Sequence, residues 1–402
     1  MIDDEWRYFA PGGALTPGGP STCFILDWDQ RRTVAVTMDE AQESEDVPFN
    51  TSRSTSMPWD LIYTPSIYRR TAIRRPNHVE TVLRSHLLEL DRLTPNVDLV
   101  SYMACTSATE PRKAVFKYYF LFQFLYKVWH EMNLWMRLPT HPHLVPFDRL
   151  VLDELHGHVV GFTSLYIPGG TISENKSRAF KLEWLRQLTS VIDDLNFKYG
   201  IAHQDVSARN LLIDPKTDAL MLFDFNYSGR IGGIGYGKDR DDVKGVIFTL
   251  YEIITRDTHF RDVPHYKQNP DDVQGLEEWV QHPDVKLDHP VSKYRSVLND
   301  WAEKRRNGRQ ISHYTEAPEY IDWPDFPAPP PKDTVFSDGK GNSTVVTGVV
   351  LNHMRRDERE KGVAVLNWER PAQIKLGNGN RVLANGQSVP DPEYAGLGEP
   401  NS

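Results

Sequence analysis

His203-Gln204-Asp205-Val206-Ser207-Ala208-Arg209-Asn210 is the stretch that decides the fold, and Asp224-Phe225-Asn226 follows it closely. The first stretch fits the pattern H-x-D-x-x-x-x-N, and the second begins with Asp-Phe. Residues 211–214 and 219–223, which lie between them, have the apolar character of two strands around a polar turn. Such a hairpin predicts that Asn210 and Asp224 lie close together.

These residue types suit phosphoryl transfer, in which a protein positions a hydroxyl group and neutralises developing negative charge. Asp205 can accept or orient the proton of the hydroxyl. Asn210 and Asp224 offer oxygen ligands to the hard cations that bridge phosphates. The sequence therefore predicts Asp205 as a catalytic residue and Asn210 and Asp224 as metal ligands.

The chain resembles the eukaryotic protein kinase catalytic domain over residues 97–306, because further segments follow that family's order. Ala114-Val115-Phe116-Lys117 is similar to the family's V-A-I-K strand, and His141-Pro142-His143-Leu144-Val145 is similar to its H-P-N-I-V segment. The resemblance implies an α+β protein of two lobes, a small and mostly β N-lobe and a larger and mostly α C-lobe. It also implies ATP and Mg²⁺ as cofactors.

The resemblance further assigns residues to the nucleotide. It implies that Lys117 contacts the phosphates during catalysis and that Glu131, on the following helix, forms an ion pair with it. Residues 165–170 resemble the hinge, which implies that backbone groups of Tyr166 and Ile167 meet the adenine. Arg209 stands where many tyrosine kinases carry a cation. It either steadies the transferred phosphoryl group or the base, or it extends into solvent.

The chain departs from the kinase pattern in two regions. Residues 98–113 contain no glycine, although kinases place a G-x-G-x-x-G loop before the strand lysine so that backbone N–H groups can approach phosphates. Only fifteen residues separate Asn226 from Asp242, and no A-P-E sequence occurs there. Gln204 replaces the arginine that binds a phosphorylated activation segment, which argues against control by such phosphorylation.

The leading prediction is an ATP-dependent phosphotransferase that moves the γ-phosphoryl group of Mg-ATP to a hydroxyl group, first of all on a protein. Two alternatives stay open. A pseudokinase scaffold would bind partners without turnover, because the glycines are missing and the segment is short. A small-molecule kinase would use the same groups on a metabolite.

Composition argues against several other classes of protein. The chain has 402 residues, 39% of them hydrophobic, and a formal net charge of −9, so broad nucleic-acid binding is not expected. Two cysteines are too few for a disulfide framework and fit a reducing compartment. No secretory signal or membrane-spanning run is evident, which predicts an intracellular protein, cytoplasmic or nuclear, without a membrane partner.

Patterning predicts three parts of the chain. Residues 1–95 form a partly disordered N-terminal extension, residues 96–306 form the kinase-like domain with lobes at 96–165 and 166–306, and residues 307–402 form a proline-rich linker and a tail.

Apolar spacing also predicts individual elements. Residues 81–93 are either a helix or two irregular strands. The other expected elements are a strand pair at 22–25 and 33–37, strands at 97–103 and around Lys117, helices over 121–138, 180–195, 276–280 and 294–301, a polar loop at 51–56, a helix-like piece at 354–361 and a disordered end at 396–402.

Overall fold

The structure is a computed structural model that describes most of the chain. The described residues are 8–14, 21–27, 31–38, 76–105, 107–118, 125–326, 332–337, 343–348, 361–362, 364, 366, 368, 374–375, 380–382 and 388–390. The predicted loop at 51–56, nearly all of the helix-like piece at 354–361 and the predicted disordered end at 396–402 lie outside these residues.

The described residues form eighteen strands and five α-helices. The strands are β1 (Tyr8–Ala14), β2 (Ser21–Asp27), β3 (Arg32–Met38), β4 (Glu80–Leu83), β5 (Leu88–Thr94), β6 (Val97–Tyr102), β7 (Arg112–Tyr118), β8 (Phe147–Leu152), β9 (Val159–Leu165), β10 (Ile201–Ala202), β11 (Leu211–Asp214), β12 (Ala219–Leu222), β13 (Gly229–Arg230), β14 (Lys332–Ser337), β15 (Ser343–Gly348), β16 (Ile374–Lys375), β17 (Asn380–Val382) and β18 (Ser388–Pro390). The helices are α1 (Leu125–Trp135), α2 (Leu182–Asp193), α3 (Asp242–Thr255), α4 (Pro270–Gln274) and α5 (Val291–Asn307).

These elements belong to two compact units. The first takes in the described residues up to Leu125, those of Arg149–Thr163 and those from Pro327 onwards. The second takes in Tyr126–Asp148 and Ser164–Phe326. A mixed six-stranded sheet together with several helices places the protein in the predicted α+β class.

The first unit is built on the six-stranded sheet, whose strand order is β4-β8-β9-β7-β6-β5. Strands β5, β6 and β7 pair antiparallel, and the register sets Val97 opposite Lys117. Strand β4 pairs parallel with β8. Alternate side chains of these strands face one core, which contains Val82, Val100, Tyr102, Ala114, Phe116, Tyr118 and Val151.

Residues from both ends of the described chain pack on this sheet. Arg31, in the turn before β3, donates a hydrogen bond of 2.8 Å to the hydroxyl of Tyr118, and its guanidinium lies 4.0 Å from the centre of that ring. The ring of Trp368 stacks on Tyr118 at 5.3 Å. The predicted strand pair at 22–25 and 33–37 is confirmed as β2 and β3, to which β1 adds a third strand.

The second unit is mostly helical. Helices α2, α3 and α5 pack together through fully buried apolar side chains such as Leu188, Val191, Ile247, Leu250 and Leu298. Burial of this kind contributes roughly 1.5–3 kcal/mol per large side chain. The second unit also contains the two-stranded sheets β10-β13 and β11-β12, and strand β12 contacts helix α2.

The predicted elements can be compared with the observed ones. Of the two alternatives for residues 81–93, the pair of strands is observed, as β4 and β5. The helix predicted over 121–138 is described as α1, Leu125–Trp135. The short helix predicted over 276–280 is absent, because α4 ends at Gln274 and residues 276–280 have no helical structure. The predicted helices over 180–195 and 294–301 are confirmed as α2 and the longer α5.

Residues 318–324, which their prolines predict to be part of a stiff, extended linker, pack against the second unit. Ala317, Ile321 and Trp323 are buried in the second unit. Backbone N–H groups of Glu319 and Ile321 donate to the carbonyls of Lys198 and Tyr199, both at 3.0 Å. Prolines fix an extended backbone here, and the aromatic and aliphatic side chains between them pack on the second unit.

Candidate functional site

The loop that carries Asp205 begins where helix α2 ends. The helix continues into a π-helical turn, Asp194–Lys198, and Gly200 then adopts φ +72°, a left-handed conformation that glycine takes without steric strain. Strand β10 follows and leads directly into His203. The end of the helix at Gly200 therefore fixes where the loop starts.

The buried carboxylate of Asp242 holds the backbone of this loop. It accepts hydrogen bonds from the N–H groups of His203 (2.8 Å) and Gln204 (2.7 Å) and from the side chain of Asn196 (2.8 Å). Gln204 is thereby kept at φ +62°, which for a residue other than glycine costs about 1 kcal/mol or more. Burial raises the pKa of the Asp242 carboxyl, whereas the three N–H donors favour its ionised form.

Asp205, Arg209 and Asn210 form one hydrogen-bonded group. The Arg209 guanidinium donates to both carboxylate oxygens of Asp205, at 2.7 and 2.9 Å. The Asn210 amide donates through Nδ2 to the Asp205 backbone carbonyl at 2.8 Å and to its carboxylate at 3.0 Å. Because Nδ2 is used in this way, the Oδ1 atom of Asn210 is left to act as an acceptor or a cation ligand.

The charge on Arg209 is stabilised by this arrangement. Burial is the largest single effect and acts to lower the pKa of Arg209, but Asp205, Asp224 and Tyr227 together outweigh it and raise the pKa above its ordinary value. Arg209 is nevertheless 64% exposed. Its guanidinium is therefore both charged and accessible to a ligand that carries negative charge.

The turn at Asp224 lies directly beside Asn210, as the predicted hairpin requires. Strands β11 and β12 pair antiparallel, and the Phe223 N–H then donates to the Asn210 carbonyl at 3.2 Å. The His203 imidazole donates through Nε2 to the Phe223 carbonyl at 3.1 Å. Asp224 follows at φ +66°, so its left-handed backbone is sustained by bonds to the residue before it.

Helix α1 meets this turn through two aromatic rings. Trp135, the last residue of α1, lies edge-on to Phe225 with ring centres 5.1 Å apart. Its indole N–H donates to the Val145 carbonyl at 2.7 Å. The centre of the His203 ring lies 5.3 Å from the centre of the Phe225 ring. A fully buried Phe225 therefore connects helix α1 with the Asp205 loop.

Gln204 organises the segment that follows the turn. Its side-chain nitrogen donates to the carbonyls of Tyr227 (2.7 Å) and Gly235 (2.9 Å), and its side-chain oxygen accepts from the Gly237 N–H (2.5 Å). Three hydrogen bonds from one neutral side chain thus hold residues 227–237 against the loop. The sequence marks Gln204 only as the replacement of an arginine and Asp242 only as the end of the short segment after Asn226, so neither role was predicted.

The remaining predicted residues are divided between the two units. Lys117 lies in β7 of the first unit with a half-buried side chain. Glu131 lies in α1 of the second unit, fully buried at 0% exposure. Tyr166 and Ile167 follow the end of β9 in the second unit, where Ile167 is buried. The ion pair between Lys117 and Glu131 and the adenine contacts stay predictions.

The connections in front of Lys117 contain no glycine. Strands β5 and β6 are joined by the two turn residues Pro95 and Asn96, and the Asn96 carbonyl accepts from the Tyr118 N–H at 3.1 Å. Residues 103–111 join β6 to β7. Any contact of these turns with phosphates has to be made without the close backbone approach that glycine permits.

Three buried polar atoms in the loop and the Asp224 turn have no hydrogen-bond partner among the described residues: His203 Nδ1, Ser207 Oγ and Asn226 Oδ1. Buried polar groups are nearly always paired, so such atoms call for water, an ion or a ligand. A cavity of about 20 Å³ beside Asp205, lined by Arg240, Lys244 and His265 among others, has room for about one water molecule.

A second group of metal-ligand types lies in the first unit, at the turn between β8 and β9. Ligand atoms of Asp153, His156 and His158 lie within 4.8 Å of one another. One oxygen of Asp153 accepts from the backbone N–H groups of Leu155 (2.9 Å), His156 (2.6 Å) and Gly157 (3.1 Å). Stabilisation of a tight turn accounts for this carboxylate.

Among the described residues, no helix combines the length and the apolar character needed to cross a bilayer. Comparison of the sequence with protein-family models and with curated proteins gives no match to either.

Proposed function

We propose that the chain is a two-lobed, protein kinase-like phosphotransferase that moves the γ-phosphoryl group of Mg-ATP to a hydroxyl group, with protein hydroxyl groups as the first choice of acceptor. The observation that carries the proposal is the hydrogen-bonded group of Asp205, Arg209 and Asn210 beside the Asp224 turn. Asp205, Asn210 and Asp224, which lie within nineteen positions of one another in the sequence, would supply the base and the oxygen ligands that phosphoryl transfer requires.

The residues of the second unit take distinct roles in this proposal. Asn210 and Asp224 would hold Mg²⁺, since amide and carboxylate oxygens are ligands that it accepts. The ion would supply positive charge that neutralises the phosphates. Asp205 orients the acceptor hydroxyl and takes its proton. Arg209, being accessible, turns from Asp205 towards the phosphoryl group and stabilises its charge.

The nucleotide would be held by the residues that the resemblance assigns. Lys117 contacts the phosphates with Glu131 as its partner, and backbone groups of Tyr166 and Ile167 meet the adenine. The Pro95-Asn96 turn offers no glycine for a phosphate cradle. We therefore expect weaker binding of ATP than a glycine-rich loop provides, with more of the affinity supplied by Lys117 and the metal ion.

A small-molecule acceptor is the second candidate, favoured by the segment after Asp224. Residues 227–237 are held against the loop by Gln204, and few residues are left there to form a platform for an extended peptide. A metabolite with an accessible hydroxyl group needs no such platform.

Thermal-shift titration with Mg-ATP tests the metal ligands. Asp224→Ala should abolish the magnesium-dependent rise in melting temperature that the unaltered protein shows, because one ligand of the ion is lost. Asp300→Asn, an exposed change on helix α5, is the matched control and should retain the full shift. An unaltered protein that shows no magnesium-dependent shift with ATP would contradict the proposal.

Transfer of labelled phosphate to a peptide pool and to a metabolite pool then tests the base and separates the two acceptors. Asp205→Asn should keep the Mg-ATP shift and lower the transfer rate by about 100-fold or more, the usual effect of removing a general base. Full nucleotide binding without transfer to either pool would instead support a scaffold that binds without turnover.

A further inference from the structure

A C-terminal strap, defined here as residues 312–326, runs across the second unit from the segment after Asp224 to helix α1. It begins at two glycines that leave room for it. A side chain on Gly232 would overlap the Ser312 carbonyl, and a Cβ on Gly200 would lie 2.6 Å from the Tyr314 carbonyl oxygen. The Tyr314 N–H donates to the Ile231 carbonyl at 2.8 Å. The strap is therefore seated directly on the residues that follow Asp224.

Arg230 joins the middle of the strap to this segment. Its guanidinium forms an ion pair with Asp322 and a second one with Asp325 at 3.2 Å, and donates to the Trp323 carbonyl at 3.3 Å. The same guanidinium lies 4.7 Å from the Trp323 ring centre. Arg230 is only 8% exposed. These partners take up its two terminal nitrogens, as a buried guanidinium requires, while its Nε has no hydrogen-bond partner among the described residues.

The far end of the strap binds helix α1. The Trp323 indole N–H donates to Nδ1 of His130 at 3.0 Å, and the Trp129 indole N–H donates to the Pro324 carbonyl at 2.7 Å. Phe326 lies edge-on to Trp129, with ring centres 6.2 Å apart. Trp129 is fully buried, so the strap completes the surroundings of one face of α1.

Helix α1 and the Asp224 turn are thus joined at two places. Trp135 meets Phe225 at the end of the helix, and Trp323 links His130 to Arg230 nearer its middle. Between these two points α1 carries Glu131. Tilting of α1 away from the turn would break the aromatic contact and also detach the strap from one of its partners.

We propose that residues 312–326 act as a built-in positioning strap, which holds helix α1 and the segment after Asp224 in one arrangement without phosphorylation of that segment. The consequence for catalysis rests on the proposed phosphotransfer, because α1 and Asp224 would carry the lysine partner and a metal ligand. The mechanical coupling of α1 to the segment rests only on the contacts. Gln204 contributes to the same result, since it holds residues 227–237 with neutral hydrogen bonds.

Hydrogen exchange on the full-length protein, treated with phosphatase, tests the coupling. Asp322→Asn with Asp325→Asn removes both charges that face Arg230, and these carboxylates are exposed enough (55% and 72%) for the variant to fold. Asp284→Asn is the matched control, because Asp284 is equally exposed (70%) and pairs with Arg256 away from the strap. We expect exchange about tenfold faster in the double variant both in residues 227–237 and in residues 126–135, and unchanged exchange there in the control.

Trp323→Phe provides a second test, since it keeps an aromatic ring but removes the N–H that His130 accepts. Faster exchange in α1 together with residues 227–237 supports the coupling. Faster exchange confined to residues 312–326, in both variants, overturns it. Phosphate transfer and the thermal shift with Mg-ATP are measured in parallel. Variants that lose transfer but keep the Mg-ATP shift support the positioning role. If the unaltered protein shows no Mg-ATP shift, the proposed phosphotransfer is contradicted, and the exchange result alone decides the coupling.

Discussion

The indole N–H of Trp323 donates a hydrogen bond of 3.0 Å to Nδ1 of His130. This bond requires Nδ1 to be unprotonated, because a protonated imidazole has no acceptor. Burial lowers the pKa of His130, the facing guanidinium of Arg230 lowers it further, and only Asp325 opposes them. The neutral imidazole is therefore part of the folded arrangement of the strap and helix α1.

Acid should weaken the fold through this histidine. The folded pKa of His130 lies below its ordinary value of 6.5, so the unfolded chain takes up a proton first as the pH falls. The contribution of His130 is fully present above pH 6.5 and is lost progressively below it. Urea unfolding at pH 7.5, 6.5 and 5.5 should show a smaller fall in stability for His130→Gln than for the unaltered protein. An equal fall in stability with pH in the two proteins would show that His130 does not contribute to the acid sensitivity.

Substitution of two glycines separates backbone strain from steric overlap with the strap. Gly232 and Gly235 both have positive φ, +72° and +85°, but only at Gly232 would a Cβ meet another part of the chain, the Ser312 carbonyl. Gly235→Ala should cost about 1 kcal/mol from the left-handed backbone alone. Gly232→Ala should cost roughly 2 kcal/mol more, because the strap has to move. Chemical denaturation measures both, and equal losses would argue that the strap adapts freely.

The carboxylate of Asp242 should be indispensable to the Asp205 loop. Asp242→Asn turns an acceptor of three N–H groups into a side chain that carries its own donors, which should cost about 3 kcal/mol of stability. Asp241→Asn is the adjacent control. Asp241 caps helix α3 by accepting from the Lys244 N–H at 2.8 Å. Because asparagine caps a helix nearly as well, Asp241→Asn should lower the stability by less than about 0.5 kcal/mol. Similar losses in both variants would contradict the anchoring role.

Gln204→Ala should release residues 227–237 from the loop. Three hydrogen bonds are lost at once, for a cost of about 2 kcal/mol. Proteolysis of the native protein in this glycine-rich segment should speed up. Gln274→Ala is the control: its side chain donates to Asn299 and accepts from Arg306, both at 2.9 Å and both outside this segment, so the rate should stay unchanged.

Local patterns sufficed for the elements whose partners are near in sequence. The β11-β12 hairpin was predictable because two apolar runs flank a polar turn, and its closure alone sets Asn210 beside Phe223. Strands β6 and β7, which bring Lys117 opposite Val97, followed from the same reasoning. The candidate residues Asp205, Asn210 and Asp224 could therefore be named from spacing and side-chain chemistry.

Features that depend on distant partners could not be predicted in this way. Nothing in the neighbourhood of Arg230 shows that it faces Asp325 or Trp323, more than ninety residues further along the chain. The prolines at 318 and 324 predicted a stiff, extended linker. Composition carries no information on what such a segment packs against. Residues 81–93 were ambiguous for a related reason. Their leucines fit both the helical and the alternating spacing, and pairing with β6 and β8 determines that the segment forms strands.

The route of residues 312–326 bears on where this protein can be divided. A fragment that stops after Arg306, where the periodic pattern of α5 runs out, would leave the indole of Trp129 without Phe326 and Pro324 and the guanidinium of Arg230 without its carboxylates. Newly bared aromatic surface of this kind promotes self-association. A fragment prepared for biophysical work should extend through Phe326.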